Sequence, residues 1–278
     1  MQIKINKELK MTLIDPLSDF GFKKIFANPN HKEVTIFLLN TFLQLENKIT
    51  EIEFQNLEDS AESLEVRGVI YDILCKDSQN REFIVELQRA KQEFFADRSI
   101  FYVCRHLNSQ IKKSRLPENR KKRFQLLPIY FLGILNFETI DGDKFTRRAS
   151  IKDEDCYKLT NSINLTYIEL PKFKIDKPQN DMEKLLFFLK NSEKLQERIF
   201  PESIFTTILD IANYYNLSDS EQLVYDTILN KQLANIDAIE TAKKTEKREI
   251  ARNMLNDRLP LDLISRYTGL SISEINNL

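Results

Sequence analysis

Apolar and polar positions change their period several times along the chain, and the changes mark its elements. In residues 69–88 two apolar runs flank the polar stretch 76–81, and Asp77-Ser78-Gln79-Asn80 is rich in turn formers. With β-branched and aromatic residues on both sides, this predicts a β-hairpin. Side chains on a strand alternate between faces, so Asp72 shares a face with Ile70 and Leu74. In the second strand Ile84, Glu86 and Gln88 take one face, and Phe83, Val85 and Leu87 the other. A loop centred on Gln79 has odd length and pairs Asp72 with Glu86, and such cross-strand neighbours point the same way at about 5 Å. Two carboxylates and an amide then converge on one sheet face.

The flanking pattern predicts the rest. Asp15-Pro16 reads as a helix start, with the aspartate as N-cap and the proline in the first turn. That helix carries Asp19, Phe20, Phe22, Lys23, Lys24 and Phe26, and Asn28-Pro29-Asn30 ends it. Asn30 followed by Glu33 predicts the next cap, ahead of Val34, Phe37, Leu38, Thr41, Phe42 and Leu45 at helical spacing. Residues 49–57 alternate as a strand. Residues 92–113 lack Gly and Pro and predict a long helix whose polar stripe is Arg98, Tyr102, Arg105 and Ser109. The apolar run 124–137 reads as a strand buried on both faces, and 165–170 as another.

The order helix, three strands, helix, strand implies a mixed sheet covered by helices. After Pro178 the pattern turns helical over 182–189, 203–215, 220–233 and a charged segment near 240–256. A helix over 261–267, the turn Thr268-Gly269-Leu270 and a short helix capped by Ser271 with Glu274 close the chain. The boundary is expected near residue 175, giving a domain over 12–175 and a helical one over 176–278.

Composition narrows the classes. A length of 278 residues favours two domains, and 42% hydrophobic with 30% charged residues is the make-up of a soluble globular protein. A net charge of -1 means that any nucleic-acid affinity comes from local basic patches. Cys75, Cys104 and Cys156 are far apart, odd in number and without a CxxC, so neither disulfides nor a zinc site are expected. They read as packing residues in a reducing cytoplasm. His31 and His106 are isolated and read as structural or surface residues. No stretch resembles a signal peptide or reaches the roughly 18 apolar residues of a membrane span, so a cytoplasmic protein without membrane contact is expected.

Two facing carboxylates repel, which raises one pKa or calls for a counter-ion. Mg²⁺ suits carboxylate oxygens, and the Leu87 backbone carbonyl between Glu86 and Gln88 is a further candidate ligand. A metal so held supports phosphodiester hydrolysis. The plain alternative is a hairpin with a solvated polar face, against which stand Ile70, Leu74 and Ile84 on that same face.

At these residues the sequence resembles the PD-(D/E)XK nucleases, with Asp72 as the first acid and Glu86-Leu87-Gln88 as the second motif. Asp15-Pro16-Leu17-Ser18-Asp19-Phe20-Gly21-Phe22-Lys23-Lys24-Ile25-Phe26, Tyr71-Asp72-Ile73 and Val85-Glu86-Leu87-Gln88 more closely resemble the recombination-promoting nucleases and PD-(D/E)XK nuclease-family transposases. The resemblance spans residues 12–170 and implies an α/β fold: a restriction-endonuclease-like mixed β-sheet core of αβββαβ order, flanked by helices and followed by an all-helical C-terminal region. It further implies a DNA endonuclease that depends on Mg²⁺ (or Mn²⁺) and belongs to recombination, mobile elements or phage defence. Asp72, Glu86 and Gln88 would be catalytic, with Asp72, Glu86 and the Leu87 carbonyl on the metal. Gln88 stands where the wider superfamily has a lysine, as is characteristic of the recombination-promoting branch. Lys23, Lys24 or Lys91 are candidates for a lysine supplied from elsewhere. Asp19 and Lys23, one turn apart, either complete the site or form an ordinary i,i+4 ion pair.

Arg98, Tyr102 and Arg105 are candidate DNA-phosphate contacts, or a solvated helix face. Lys112, Lys113, Arg115, Arg120, Lys121, Lys122 and Arg123 place seven basic residues in twelve positions, a second candidate DNA patch or a charged loop. The end of the chain resembles a helix-turn-helix, with Arg248, Arg252 and Arg258 as candidate DNA contacts; a bundle serving a homodimer or another partner is the other reading. The competing function is a catalytically silent DNA-binding or partner-binding protein on the same fold. RNA as substrate stays open, because phosphate chemistry alone does not read the 2′-hydroxyl.

Overall fold

A computed structural model describes residues 12–55, 71–91, 93–114, 126–192, 195 and 200–278. The strand start at Val69 and Ile70, Leu57, and the basic residues Lys121 and Lys122 lie outside the described residues, as do the side chains of Lys112 and Lys113.

The first helix, α1 (Asp19–Phe26), is capped by Ser18 and not by Asp15. Pro16 and Leu17 form a turn closed by the Ser18 N–H on the Asp15 carbonyl at 3.1 Å, while the Asp15 carboxylate accepts from Leu17 N at 2.9 Å. The Ser18 hydroxyl then accepts from Gly21 N at 3.0 Å. Asn28 caps a short 3-10 turn over Pro29–His31. As a result α2 (Lys32–Leu43) begins after His31, without the side-chain cap expected from Asn30.

Among the described residues six strands form one mixed sheet: β1 (Ile52–Phe54), β2 (Ile73–Asp77), β3 (Glu82–Gln88), β4 (Ile129–Leu135), β5 (Thr146–Ser150) and β6 (Ile163–Glu169), in the spatial order β1-β2-β3-β4-β6-β5. The pair β3–β4 is parallel and joined by a crossover through α3 (Phe95–Ser114); β4–β6 is also parallel, and the other pairs are antiparallel. This bears out the mixed sheet flanked by helices. β5 was not expected. Thr-Arg-Arg-Ala-Ser has no apolar alternation because the strand lies at the sheet edge, where charged side chains also discourage pairing with other chains.

One sheet face carries Leu74, Ile84, Phe131 and Leu165 in a row, packed under Phe95, Val103 and Leu107 of α3. On the other side, α2 packs on α1, on β6, and on α4 (Asp181–Asn191) and α5 (Ser203–Ala212). The chain before α1 is tied to the end of α5: Ile14 N donates to Ala212 O and Tyr214 N to Thr12 O, both at 2.8 Å. For that reason the first compact unit runs to Leu217. The change to all-helical structure near residue 175 falls inside it.

The second unit, Ser218–Leu278, contains α6 (Asp219–Asn256), α7 (Leu261–Thr268) and α8 (Ile272–Asn276). A single helix replaces the two expected over 220–256, because no Gly or Pro interrupts it and Ser218 with Glu221 forms a capping box at its start. Ala251, Ile264, Leu270 and Ile275 form its small core. Gly269 takes φ +70° after α7, a left-handed cap that glycine adopts freely. Ser271 and Glu274 form the expected capping box of α8.

Candidate active site

The hairpin turn fixes which residues meet. Asp77 Oδ1 accepts from Gln79 N at 3.0 Å and from Arg81 N at 2.8 Å, and its Oδ2 takes the Arg81 Nε–H at 2.6 Å. Asn80 adopts φ 57°, a conformation asparagine tolerates. The resulting register pairs Ile73 with Val85 and Leu74 with Ile84. Continued by one pair, it sets Asp72 opposite Glu86, as a loop centred on Gln79 requires.

Asp72 stands just before β2, where the ladder ends. Its Oδ2 accepts the Leu87 N–H at 2.8 Å. The N–H and C=O of a strand residue point to the same side, so the Leu87 carbonyl is directed toward Asp72 as well. Gln88 alternates to the other side, where its carbonyl accepts from Asn136 N at 2.9 Å.

Glu86 is 3% exposed. Its register neighbours are Gly133 on β4 and, beyond that, Tyr167 on β6. A Cβ on Gly133 would meet the Phe95 ring at 3.1 Å. The missing side chain therefore lets the start of α3 close over the sheet beside Glu86, the close approach that a glycine inside a strand signals. Ser99 Oγ and the Tyr167 hydroxyl share a hydrogen bond of 2.5 Å in the same layer.

Burial, and then the charge of Asp72, pushes the Glu86 carboxyl up to about 8. The Asp72 backbone amide, the Arg98 charge and the Gln88 side chain pull it partly back. Among the described residues Glu86 Oε1 is nonetheless buried without a hydrogen-bond partner. Asp72 is also raised, by burial first, against the opposing effects of the Leu87 amide and Lys23.

Lys23 enters from α1. Its Nζ lies 2.6 Å from Asp19 Oδ1 and 3.7 Å from Asp72 Oδ1. Burial disfavours its charge, but the bond to Asp19 and the charges of Asp19 and Asp72 outweigh this and raise its pKa. The i,i+4 ion pair and the contact with the hairpin acid therefore coexist. Arg89, just after β3, reaches back to Asp15 Oδ2 at 2.8 Å. That link between the Asp15-Pro16 motif and the hairpin was not legible in the sequence, since no spacing joins the two.

From α3, Arg98 Nη2 donates to the Tyr102 hydroxyl at 2.6 Å. Tyr102 meets the Tyr71 ring edge-on at 5.8 Å. Burial pushes the Tyr71 hydroxyl up to about 12, with Arg105 opposing and Glu86 reinforcing. The polar stripe Arg98, Tyr102 and Arg105 is thus turned toward the Glu86 layer. Ser109 instead bonds the His106 carbonyl at 2.7 Å.

The remaining candidates lie elsewhere. His106 Nε2 sits 2.9 Å from Glu82 Oε2 at the far end of β3, and His31 pairs with Glu33 at 3.0 Å on the surface. Cys75 is buried, whereas Cys104 and Cys156 are exposed and do not pack in the core as expected; Cys104 lies on the outward side of α3, and Cys156 follows the charged run Lys152-Asp153-Glu154-Asp155. In the second unit Arg252 Nη2 donates to the Leu278 carbonyl at 3.3 Å.

Among the described residues no three His, Cys, Asp or Glu side chains cluster as a metal site. Among the described residues Asp72 and Glu86 supply two carboxylates, and the Leu87 carbonyl and water are further oxygen donors for a cation there. The orphaned Glu86 Oε1 and the directed Leu87 carbonyl fit a hard cation, which takes oxygen ligands and keeps several waters. No helix among the described residues is long and apolar enough to cross a membrane.

No curated protein and no solved structure matches the chain. Residues 244–278, the end of α6 with α7 and α8, match the model of the Rpn/YhgA-like nuclease family C-terminal HTH domain. Residues 16–242, which hold α1, the whole sheet and the Asp72–Glu86 hairpin, match the model of the PD-(D/E)XK nuclease family transposases, and the chain belongs to that family.

Proposed function

We propose that this protein is a Mg²⁺- or Mn²⁺-dependent endodeoxyribonuclease acting on cytoplasmic DNA in recombination, mobile-element transfer or phage defence. The observation that carries the reading is Glu86 Oε1, a buried carboxylate oxygen in the sheet row next to Asp72 that has no hydrogen-bond partner among the described residues. A carboxylate is kept in such surroundings at high cost unless a proton or cation joins it. Asp72, Glu86 and the Leu87 carbonyl would hold the cation. A bound divalent cation lowers the pKa of its water and offsets charge on the phosphodiester.

The chain's own groups do the rest. The Leu87 amide fixes the Asp72 carboxylate. The Gln88 carboxamide orients a water by hydrogen bonds, and the Lys23 ammonium supplies from α1 the positive charge that Gln88 lacks. Arg98, Tyr102 and Arg105 line the approach of a phosphate backbone. Lys112, Lys113, Lys121 and Lys122 follow in the sequence as further candidate phosphate contacts. The C-terminal helix-turn-helix adds a DNA-binding module. Leu229, Leu233 and Ile236 are exposed on α6 at heptad-like spacing, the kind of surface a homodimer buries.

Purified protein with supercoiled plasmid should give nicked and linear DNA in Mg²⁺ and none in EDTA, and Asp72→Ala should be inactive. A second reading, a catalytically silent DNA-binding protein on the nuclease fold, draws on the uncharged Gln88. Salt-dependent DNA binding with no cleavage in Mg²⁺ or Mn²⁺ would select it.

A further inference from the structure

Phosphate contacts account for Arg98 and Arg105 but leave two aromatic rings beside them unexplained. Phe94 is 69% exposed and Phe101 is 51% exposed. Arg98, Phe101 and Arg105 follow one another at steps of three and four residues and so share one face of α3, and Phe94 stands four residues before Arg98. Along this stripe ring and guanidinium alternate.

The stripe has a fixed place relative to the carboxylates. Phe95, next to Phe94, covers Gly133, the register neighbour of Glu86. The Arg98 charge acts on Glu86. Tyr102, whose ring lies 6.2 Å from that of Phe101, packs on Tyr71 beside Asp72. Phe94 holds φ 51°, a left-handed conformation that bulky residues avoid, while its carbonyl accepts from Arg98 N at 3.0 Å. The backbone thus keeps one exposed ring at the entry of the helix while Phe95 turns into the core.

Alternating cations and exposed rings match the chemistry of unpaired nucleotides, whose phosphates take the guanidiniums and whose bases stack on the rings. An intact duplex offers such rings nothing to stack on, because its base faces are covered by neighbouring base pairs.

We propose that Phe94 and Phe101 stack on unpaired bases beside the scissile phosphate, so that the substrate class is nucleic acid with a single-stranded segment: a strand end, a loop or a displaced strand. This rests on the nuclease reading for the place of the cleaved bond, but the stacking is measurable without cleavage.

The test uses the full chain in EDTA with three labelled probes: a single-stranded oligodeoxynucleotide carrying 2-aminopurine, its matched duplex, and the same single strand as RNA. Wild type should bind the single strand more tightly than the duplex and change the 2-aminopurine emission on binding. The double variant Phe94→Ala/Phe101→Ala should lose about tenfold or more in single-strand affinity, a larger factor than for duplex, and should lose the emission change. Phe101→Trp should retain both. Thermal melting checks that the double variant is folded. Equal losses on single strand and duplex, or no loss on either, would overturn the proposal. Ring-dependent binding of the RNA as well assigns the surface to unpaired bases of either sugar, and binding confined to the DNA strand assigns it to DNA. If ring-dependent binding is found but no probe is cut in Mg²⁺, the stacking stands and the nuclease reading falls. If both DNA forms are cut alike regardless of the rings, the reverse holds.

Discussion

The Asp72 carboxylate accepts the backbone N–H of Leu87 at 2.8 Å, so the first acid of the hairpin is bonded to the residue between Glu86 and Gln88. A side chain takes the place of a ladder partner just before β2 begins. The contact ties the Tyr71-Asp72-Ile73 motif to Val85-Glu86-Leu87-Gln88 through one hydrogen bond as well as through strand register.

Two substitutions at Asp72 separate its roles. Asp72→Asn keeps an oxygen that can accept the Leu87 N–H, whereas Asp72→Ala leaves that donor unpaired at about 1–3 kcal/mol. Both should abolish Mg²⁺-dependent plasmid cleavage, and urea denaturation should show the larger stability loss for alanine. Cleavage retained by either variant would remove Asp72 from the site.

The raised Glu86 carboxyl makes stability depend on pH. Its ordinary value is 4.5 and its folded value about 8, so between the two the folded protein holds a proton that the unfolded chain has released. Stability then falls as pH rises through that window, and Asp72, also raised, acts in the same direction. Melting in EDTA should show Tm declining from about pH 5 to about pH 8. Glu86→Gln should flatten the decline, and added Mg²⁺ should raise Tm more at the alkaline end, where no proton has to be displaced. A flat wild-type profile would contradict the raised carboxyl.

Lys23 should act through its charge. Lys23→Met removes the cation 3.7 Å from Asp72 Oδ1, and cleavage should slow by about one to two orders of magnitude, while Lys23→Arg should keep part of the rate. Adding Gln88→Lys to Lys23→Met should restore activity if the two positions supply the same charge. Failure of both Arg and the second-site lysine to help would assign Lys23 to folding.

Gly21 in the Asp19-Phe20-Gly21-Phe22 motif has a steric reason. A Cβ there would lie 2.0 Å from the Asp15 carbonyl oxygen, a backbone atom held by the turn that Ser18 closes. Gly21→Ala should therefore cost about 3 kcal/mol or more, and chemical denaturation measures it. A neutral result would mean that residues 15–18 can move away from α1.

The local chemistry of the hairpin is legible in the sequence because period-two alternation and an odd turn fix pairing without help from distant residues. Asp72, Glu86 and Gln88 follow from that alone. The α1, α3 and β4 patterns are equally local, and the capping box at Ser271 and Glu274 is read from four adjacent residues. The helix caps fall on Ser18 and ahead of Lys32 and not on Asp15 and Asn30, because several cap-competent residues stand together and the local bonds of Ser18 to Gly21 and of Asn28 to Asn30 select among them.

By itself the sequence determined the order of elements from α1 through β4 and the hairpin register that, continued by one pair, sets Asp72 opposite Glu86, since each depends on residues within about one element of one another. Only the tertiary structure decided that Lys23 reaches Asp72, that Arg89 reaches Asp15, that Gly133 admits Phe95 beside Glu86, and that Glu86 Oε1 is buried without a partner among the described residues. Burial and long-range contact are properties of the packed chain, and no periodicity along the sequence encodes which surface will close over a given carboxylate.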